Sequence, residues 1–131
     1  MIKKSLKILV ADDDNIYCIA MKKTLTSCGH TVNICQSGED AINILKHEIF
    51  DIILLDYKMG QVSGIDVLQW MFDNKIDIPV ILITGHGSEE VALEAWKWRA
   101  NEYLIKGETD WSLIPKLVSN TYSRWELNRN S

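Results

Sequence analysis

The sequence has few cysteines, no long apolar run and no excess of basic residues. Its three cysteines, Cys18, Cys28 and Cys35, lack the C-x-x-C spacing of zinc and redox sites, so we expect reduced and mostly buried thiols. No run of about 18 apolar residues occurs, nor a basic leader followed by an apolar stretch. This predicts a cytoplasmic protein without a membrane span. A net charge of −4 disfavours a surface that binds nucleic acid.

The composition is that of an ordinary globular protein. Hydrophobic residues make up 47% and charged residues 24% of the 131 residues. A chain of this length buries a substantial core without disulfides or structural metal ions. We therefore expect residues 1–131 to form a single domain.

Four consecutive aliphatic residues, 52–55, mark the centre of the predicted fold. They show neither the period of a helix nor the alternation of a half-buried strand. A short run of this kind is typical of a strand that is buried on both faces of a parallel sheet. Asp56 then lies at the carboxyl end of the strand, where ligands bind in open α/β sheets.

Strand and helix patterns alternate along the rest of the chain. Further strands are predicted at residues 6–11, 30–35, 78–84 and 102–106, and a helical pattern follows each strand. Such alternation predicts an α/β domain with a parallel sheet, right-handed crossovers and five helices that cover both faces.

Capping residues and apolar spacing locate the helices. Asp14 or Asn15 is expected to cap the first helix and Gly29 to end it, while Pro115 places the start of the last helix near Ser112. Ser37 and Ser88 are expected to cap the second and fourth helices. The residues that we expect to be buried in the first and fourth helices are Ile16, Ala20, Met21, Thr24, Leu25, Val91, Ala92, Ala95 and Trp96.

Polar side chains follow several of the predicted strands. Because the carboxyl ends of parallel strands share one edge of a sheet, we expect a cluster of Asp12, Asp13, Asp56, Thr84 and Lys106. Clustered carboxylates repel one another, and Mg²⁺ binds one or two carboxylates together with phosphate oxygens. A lysine and a threonine hydroxyl are suited to hold phosphoryl oxygens. The set indicates a phosphoryl-transfer site with a carboxylate nucleophile, although each member alone also fits a helix end, a strand end or a solvated surface.

At these positions the sequence resembles the receiver domain of two-component response regulators. Residues 10–14 match the acidic motif after the first strand, residues 54–59 match the phosphoacceptor segment, and Gly64 matches a loop glycine. Residues 83–85 match the threonine motif, and residues 102–106 match the segment with the switch aromatic and the lysine. The resemblance implies a five-stranded parallel sheet of order 2-1-3-4-5, doubly wound and flavodoxin-like, with five helices.

The resemblance also implies a role for each site residue. Asp56 would accept a phosphoryl group from a sensor histidine kinase or a phosphotransfer protein, without turnover of an external substrate. Asp13, Asp56 and the Lys58 carbonyl would bind Mg²⁺, and Asp12 would act through a water molecule. Thr84 and Lys106 would hold the phosphoryl oxygens.

The output surface implied by the resemblance consists of the fourth helix, the fifth strand and the last helix. Thr84 would move toward the phosphoryl group, and Tyr103 would turn inward to fill the space that opens. Trp96 and Trp98 are only two residues apart, so both cannot lie in the buried stripe of one helix, and we expect Trp98 to be exposed. We expect phosphorylation-dependent homodimerisation or partner binding through this surface.

Two glycines depart from the family pattern. Gly60 and Gly107 stand where prolines usually follow the methionine and the lysine. A cis non-proline peptide bond costs about 3–4 kcal/mol, so we expect a trans Lys106–Gly107 bond and a re-routed, more mobile loop. Lys58 and His86 are expected over the mouth of the site, where they would influence hydrolysis of the acyl phosphate.

Two other functions fit parts of the pattern. In a phosphatase of the haloacid-dehalogenase type, Asp12 would be the nucleophile and Asp14 the general acid. That family needs a further strand ending in acidic residues after its lysine, and Asp56 would have no role in it. The third interpretation is a receiver-like docking module that is never phosphorylated, which the complete set of site residues disfavours.

Overall fold

Five strands and five helices alternate along the chain, as the sequence predicts. The computed structural model describes residues 5–85 and 89–129. The strands are β1 (Lys7–Ala11), β2 (Thr31–Cys35), β3 (Ile52–Asp56), β4 (Val80–Thr84) and β5 (Glu102–Ile105). The helices are α1 (Asn15–Thr26), α2 (Gly38–His47), α3 (Gly64–Asp73), α4 (Glu89–Lys97) and α5 (Ile114–Arg129), with a short 3-10 helix at Trp111–Leu113 before α5.

The five strands form one parallel sheet with the order β2-β1-β3-β4-β5. This confirms the predicted doubly wound architecture. In the central strand, Ile53 and Leu55 pack with α2, α3 and α4, whereas Ile52 and Leu54 pack with α1 and α5. Alternate residues thus enter two different cores, and every residue of β3 is buried. The absence of alternation in this strand follows from the two covered faces.

Local hydrogen bonds start and end the helices. The Asp14 side chain accepts a hydrogen bond from the Tyr17 backbone N–H at 3.1 Å, and Ser37 caps α2. After α1, Gly29 has a φ of +90°, a conformation that a residue with a side chain rarely adopts. These features confirm the predicted start and end of α1 and the predicted start of α2. The last helix was expected to start near Ser112, where the structure has the short 3-10 helix, and α5 itself begins at Ile114. A capping box between Ser63 and Asp66 at the start of α3 was not predicted.

The buried face of α1 differs from the prediction at its first turn. Met21 and Leu25 are buried as expected, and Ala20 and Thr24 are half-buried, but Ile16 is 80% exposed and Cys18 is buried in addition. With about 3.6 residues per helical turn, Ile16 lies on the side of α1 opposite to the one shared by Cys18, Met21 and Leu25, so it faces away from the core.

The tryptophans of α4 also differ from the prediction. Val91 and Ala95 are buried as expected, but Trp96 is 81% exposed and Ala92 is exposed as well. Trp98 lies after the end of α4 and packs edge-on against Phe72 of α3, with the ring centroids 6.3 Å apart. The prediction of an exposed Trp98 was therefore wrong, because it assumed that the helix continues through this residue. The expected cap Ser88 lies outside the described residues.

The three cysteines are free, as predicted. Cys18 and Cys35 are buried, whereas Cys28 is exposed. Burial raises the pKa of the Cys18 thiol to about 11 and that of Cys35 to about 12, so both thiols stay protonated at neutral pH. None of the described helices is both long and apolar enough to cross a membrane.

Candidate functional site

The carboxyl edge of the sheet carries a group of polar side chains. Asp56 and Thr84 are the last residues of β3 and β4, and Asp12 and Lys106 directly follow β1 and β5. Asp12, Asp56 and Thr84 are buried, although Asp13 is exposed. Together with Tyr57, Lys58, Gly85, Glu90 and Val91, the side chains Asp13, Asp56, Thr84 and Lys106 line a cleft of about 510 Å³. The structure thus brings the predicted site residues to one place.

Asp12 is buried and contacts both the loop after β1 and the Lys106 side chain. Its Oδ1 accepts a hydrogen bond from the Asp14 backbone N–H at 2.9 Å, which holds the carboxylate in the loop after β1. Its Oδ2 lies 2.8 Å from the Lys106 Nζ. Within the described part of the chain, Oδ2 has no well-aligned hydrogen bond, so the ammonium charge is its main compensation.

Three carboxylates meet close to the Lys106 ammonium. Asp12, Asp13 and Asp56 each offer a carboxylate oxygen, and these oxygens lie within 4.8 Å of one another. Burial and the neighbouring Asp12 charge raise the pKa of Asp56 to about 7, against the opposing effect of Lys106. Burial alone would lower the pKa of Lys106, but the contact with Asp12 and the charge of Asp56 raise it. Three carboxylates this close together fit a hard divalent cation with oxygen ligands.

Lys58 lies at the cleft as expected, whereas Tyr103 lies away from it. The Lys58 side chain is exposed at the cleft, in agreement with its expected position over the mouth. Tyr103 does not line the cleft. It lies in β5 beside Leu82, with its ring half-buried against the core that α2, α3 and α4 cover. His86 lies outside the described residues.

Three glycines shape the loops around the cleft. Gly60 and Gly107, which replace the usual prolines, have φ values of +67° and +84°. No peptide bond in the described ranges is cis, so the trans Lys106–Gly107 bond is as predicted. The Gly64 backbone N–H donates to the Tyr57 carbonyl at 2.9 Å, so that α3 begins directly against the end of β3. The mobility expected for the loop after Lys106 stays a prediction.

Tyr17 and Trp111 form an aromatic pair beside Lys106 that was not predicted from the sequence. The Tyr17 ring centroid lies 4.5 Å from the Lys106 Nζ, and the Trp111 ring lies 5.2 Å from the Tyr17 ring. Tyr17 is in the first turn of the helix that follows the acidic motif, and this position was the only signal in the sequence that could have placed it near the site.

This architecture defines a doubly wound, flavodoxin-like α/β domain whose cleft lies at the carboxyl edge of the sheet. Residues 8–117 match the family described as the response regulator receiver domain. The chain is also similar to curated regulators. It is 36% identical over 106 residues to the transcriptional regulatory protein ZraR of Salmonella typhimurium, which is 81% of this chain and 24% of that protein. It is 42% identical over 82 residues to the luminescence regulatory protein LuxO of Vibrio campbellii, which is 63% of this chain and 18% of that protein.

Solved receiver domains share the fold. The signal receiver domain of a putative Luxo repressor protein from Vibrio parahaemolyticus superposes with a TM-score of 0.87 at 26% identity, covering 95% of each chain. The receiver domain of Francisella response regulator 1452 gives a TM-score of 0.84 at 27% identity and covers 91% of this chain and 98% of that one. The chain belongs to the response regulator receiver domain family. It spans about a quarter or less of the length of the curated relatives described above.

Proposed function

We propose that this chain accepts a phosphoryl group on Asp56 from a sensor histidine kinase or a phosphotransfer protein. The position of Asp56 supports this proposal most directly. Asp56 is the last residue of the central strand and is only 5% exposed. It lines the cleft together with Asp13, Thr84 and Lys106. An Asp56 carboxylate oxygen attacks the phosphorus of a phosphohistidine. The new P–O bond forms as the P–N bond breaks, and the histidine leaves with the electron pair of that bond.

The charges of the cleft support a dependence on Mg²⁺. Asp13 and Asp56 would hold the ion with the Lys58 backbone carbonyl, and Asp12 would act through a water molecule. When bound, the ion supplies positive charge that offsets the carboxylates and the incoming phosphoryl oxygens. A cation also favours the ionised form of Asp56, whose pKa of about 7 leaves much of it protonated at neutral pH. The nucleophile is then present as the carboxylate.

Lys106 and Thr84 would receive the transferred group. The Lys106 side chain is 22% exposed and lines the cleft, so it can reach phosphoryl oxygens while its ammonium lies 2.8 Å from the Asp12 carboxylate. The Thr84 hydroxyl is on the neighbouring strand end and would turn toward the new charge. The half-buried Tyr103 ring would then move inward and change the surface at α4, β5 and α5.

Two exposed apolar surfaces are proposed for partners. Beside the cleft, Ile16 and Ile19 of α1 and Leu113 are exposed, and the Tyr17–Trp111 contact joins α1 to the short helix that contains Leu113. This surface would contact the phosphoryl donor. On α4, the exposed Leu93 and Trp96 would mediate homodimerisation or effector binding, in place of the predicted Trp98.

A small phosphodonor tests the proposal without the unidentified kinase. The purified chain is incubated with phosphoramidate and Mg²⁺ and followed by intact mass spectrometry. We expect one phosphoryl adduct in the parent and in Asp73→Asn, an exposed control at the end of α3, and none in Asp56→Asn. An unmodified parent would support the docking module. Sustained release of phosphate from phosphate esters would support the phosphatase and contradict a domain without turnover.

The proposal also covers the bounds of the domain and its place in the cell. We propose residues 1–131 as a single receiver domain in a cytoplasmic protein, where a phosphohistidine donor would be available. Support comes from the family match over residues 8–117 and from α5, which continues the same fold to Arg129.

A further inference from the structure

The Lys106 side chain is held from two sides. Its Nζ lies 2.8 Å from the Asp12 Oδ2 and 4.5 Å from the centroid of the Tyr17 ring. The second distance is within the range of a cation–π interaction, in which an ammonium is attracted by the negative face of an aromatic ring. Asp12 and Tyr17 together restrict a long side chain that is otherwise among those with the most rotamer freedom.

Tyr17 is itself fixed by its neighbours. Its backbone N–H donates to the capping side chain of Asp14 at 3.1 Å, and its ring packs against Trp111 at a centroid distance of 5.2 Å. Burial and the charges of Asp12, Asp56 and Asp14 raise the pKa of the Tyr17 hydroxyl well above its ordinary value. The ring beside Lys106 is therefore neutral at physiological pH.

The aromatic pair also spans the loop that follows the lysine. Gly107, with its φ of +84°, comes directly after Lys106, and Trp111 begins the short helix four residues later. A glycine at this point leaves the backbone more freedom than a proline would. The Trp111 contact joins the end of this loop to α1, so it limits the freedom that Gly107 introduces.

We propose that Tyr17, supported by Trp111, is a positioning residue that holds the Lys106 ammonium at the cleft for contact with the phosphoryl group. The proposal deepens the proposed phosphoacceptor function and rests on it. In this role Tyr17 attracts the Lys106 ammonium through the face of its aromatic ring, and its hydroxyl is not needed. Tyr17→Phe keeps this face, whereas Tyr17→Leu keeps an apolar side chain and removes it.

The first measurement uses the metal-free protein and needs no activity. Protons that lie over an aromatic face are shifted upfield in NMR spectra. We expect the Lys106 Cε protons, labelled with ¹³C-lysine and assigned by their loss in Lys106→Arg, to be shifted upfield in the parent and in Tyr17→Phe. The shift should disappear in Tyr17→Leu. A parent signal at the ordinary lysine position would overturn the proposal.

The second measurement is the rate of Asp56 phosphorylation by phosphoramidate with Mg²⁺. Tyr17→Leu should react about two- to fivefold more slowly than the parent, whereas Tyr17→Phe should match the parent. The matched control is Phe72→Leu, because Phe72 contacts the Arg99 guanidinium at 5.1 Å on the opposite edge of the sheet. This variant should react like the parent. Equal rates for Tyr17→Leu and Tyr17→Phe would overturn the proposal.

The Trp111→Leu variant and the phosphorylation of the parent distinguish a failure of the positioning role from a failure of the phosphoacceptor function. If Tyr17→Leu does not fold, Trp111→Leu replaces it and should show a smaller upfield shift and a slower reaction, because the support of the Tyr17 ring is lost. An unchanged Trp111→Leu would contradict the proposed support. If neither the parent nor Tyr17→Phe is phosphorylated, the phosphoacceptor function fails, and the role in positioning fails with it even where the upfield shift is present.

Discussion

Replacing Gly64 by alanine places one methyl group against the backbone of the proposed phosphoacceptor. A Cβ at this position would contact the Asp56 carbonyl oxygen and lie 3.0 Å from the Asp56 carbonyl carbon and 3.2 Å from the Tyr57 Cα. These are backbone atoms at the end of a fully buried strand, so no side-chain rotation relieves the overlap. Either the start of α3 moves outward or the end of β3 moves away from it.

The expected cost follows from these contacts. Inserting a methyl group into a well-packed interior typically destabilises a protein by about 1–3 kcal/mol. Alanine recovers up to about 1 kcal/mol, because glycine loses more backbone entropy on folding. Because the overlap is with backbone atoms, the upper end of this range applies, and after the gain of about 1 kcal/mol we expect a net loss of about 2 kcal/mol of unfolding free energy. We also expect a slower phosphorylation of Asp56, because its carbonyl group is displaced.

Urea unfolding followed by tryptophan fluorescence measures the loss of stability. The denaturation midpoint of Gly64→Ala should fall while the m-value stays unchanged. The matched control is Gly85→Ala, because a Cβ at Gly85 meets no atom of the described residues within 4 Å. Its unfolding free energy should equal that of the parent or rise by up to about 1 kcal/mol, because the entropic gain of alanine is not opposed by an overlap. Equal midpoints for the two variants would refute the steric reasoning.

Four further predictions concern the metal site, the acyl phosphate, the output surface and acid stability. Asp13→Asn should weaken Mg²⁺ binding strongly in calorimetry, since it removes one of three clustered carboxylates, and undiminished affinity would exclude Asp13 as a ligand. Lys58→Ala should change the dephosphorylation rate by more than about twofold, or roughly 0.4 kcal/mol of barrier, if this exposed side chain controls the approach of water. A smaller change would leave Lys58 a solvated loop residue. Trp96→Ala should reduce beryllofluoride-dependent dimerisation in sedimentation or effector capture without loss of stability, and retention of both activities would place the output elsewhere. The buried His30 accepts a hydrogen bond at Nδ1 from the Leu6 backbone N–H at 3.0 Å, and burial lowers its pKa below 6.5. The folded state thus binds protons less readily than the unfolded state, so this contribution to stability is complete above pH 6.5 and is lost as the pH falls below it. The urea midpoint should therefore drop on acidification in the parent and less in His30→Gln, and equal pH profiles would contradict this role.

The architecture and the gathering of the polar cluster could be predicted from the sequence. The aliphatic run at 52–55 indicated a strand covered on both sides, and β3 is fully buried. Once the strands are parallel and joined by helices, their carboxyl ends must share one edge. Asp12, Asp56, Thr84 and Lys106 therefore had to meet, whatever the details of packing.

Other features were decided only by the tertiary structure. The spacing of apolar residues locates a helical face but not the residue at which a helix ends, so the exposures of Trp96 and Trp98 were exchanged in the prediction. Spacing also does not reveal which side of a helix faces the sheet, and Ile16 lies on the side of α1 opposite to the buried Cys18, Met21 and Leu25.

The contacts around the site depend on residues that are far apart in the chain. Lys106 pairs with Asp12, and Tyr17 lies between Lys106 and Trp111. Both contacts form where the segments after β1 and β5 approach each other. No local pattern encodes such a contact, because helix and strand periodicities describe only neighbours along the chain. The sequence could therefore place each functional group at the edge of the sheet, whereas only the folded chain determined which groups touch.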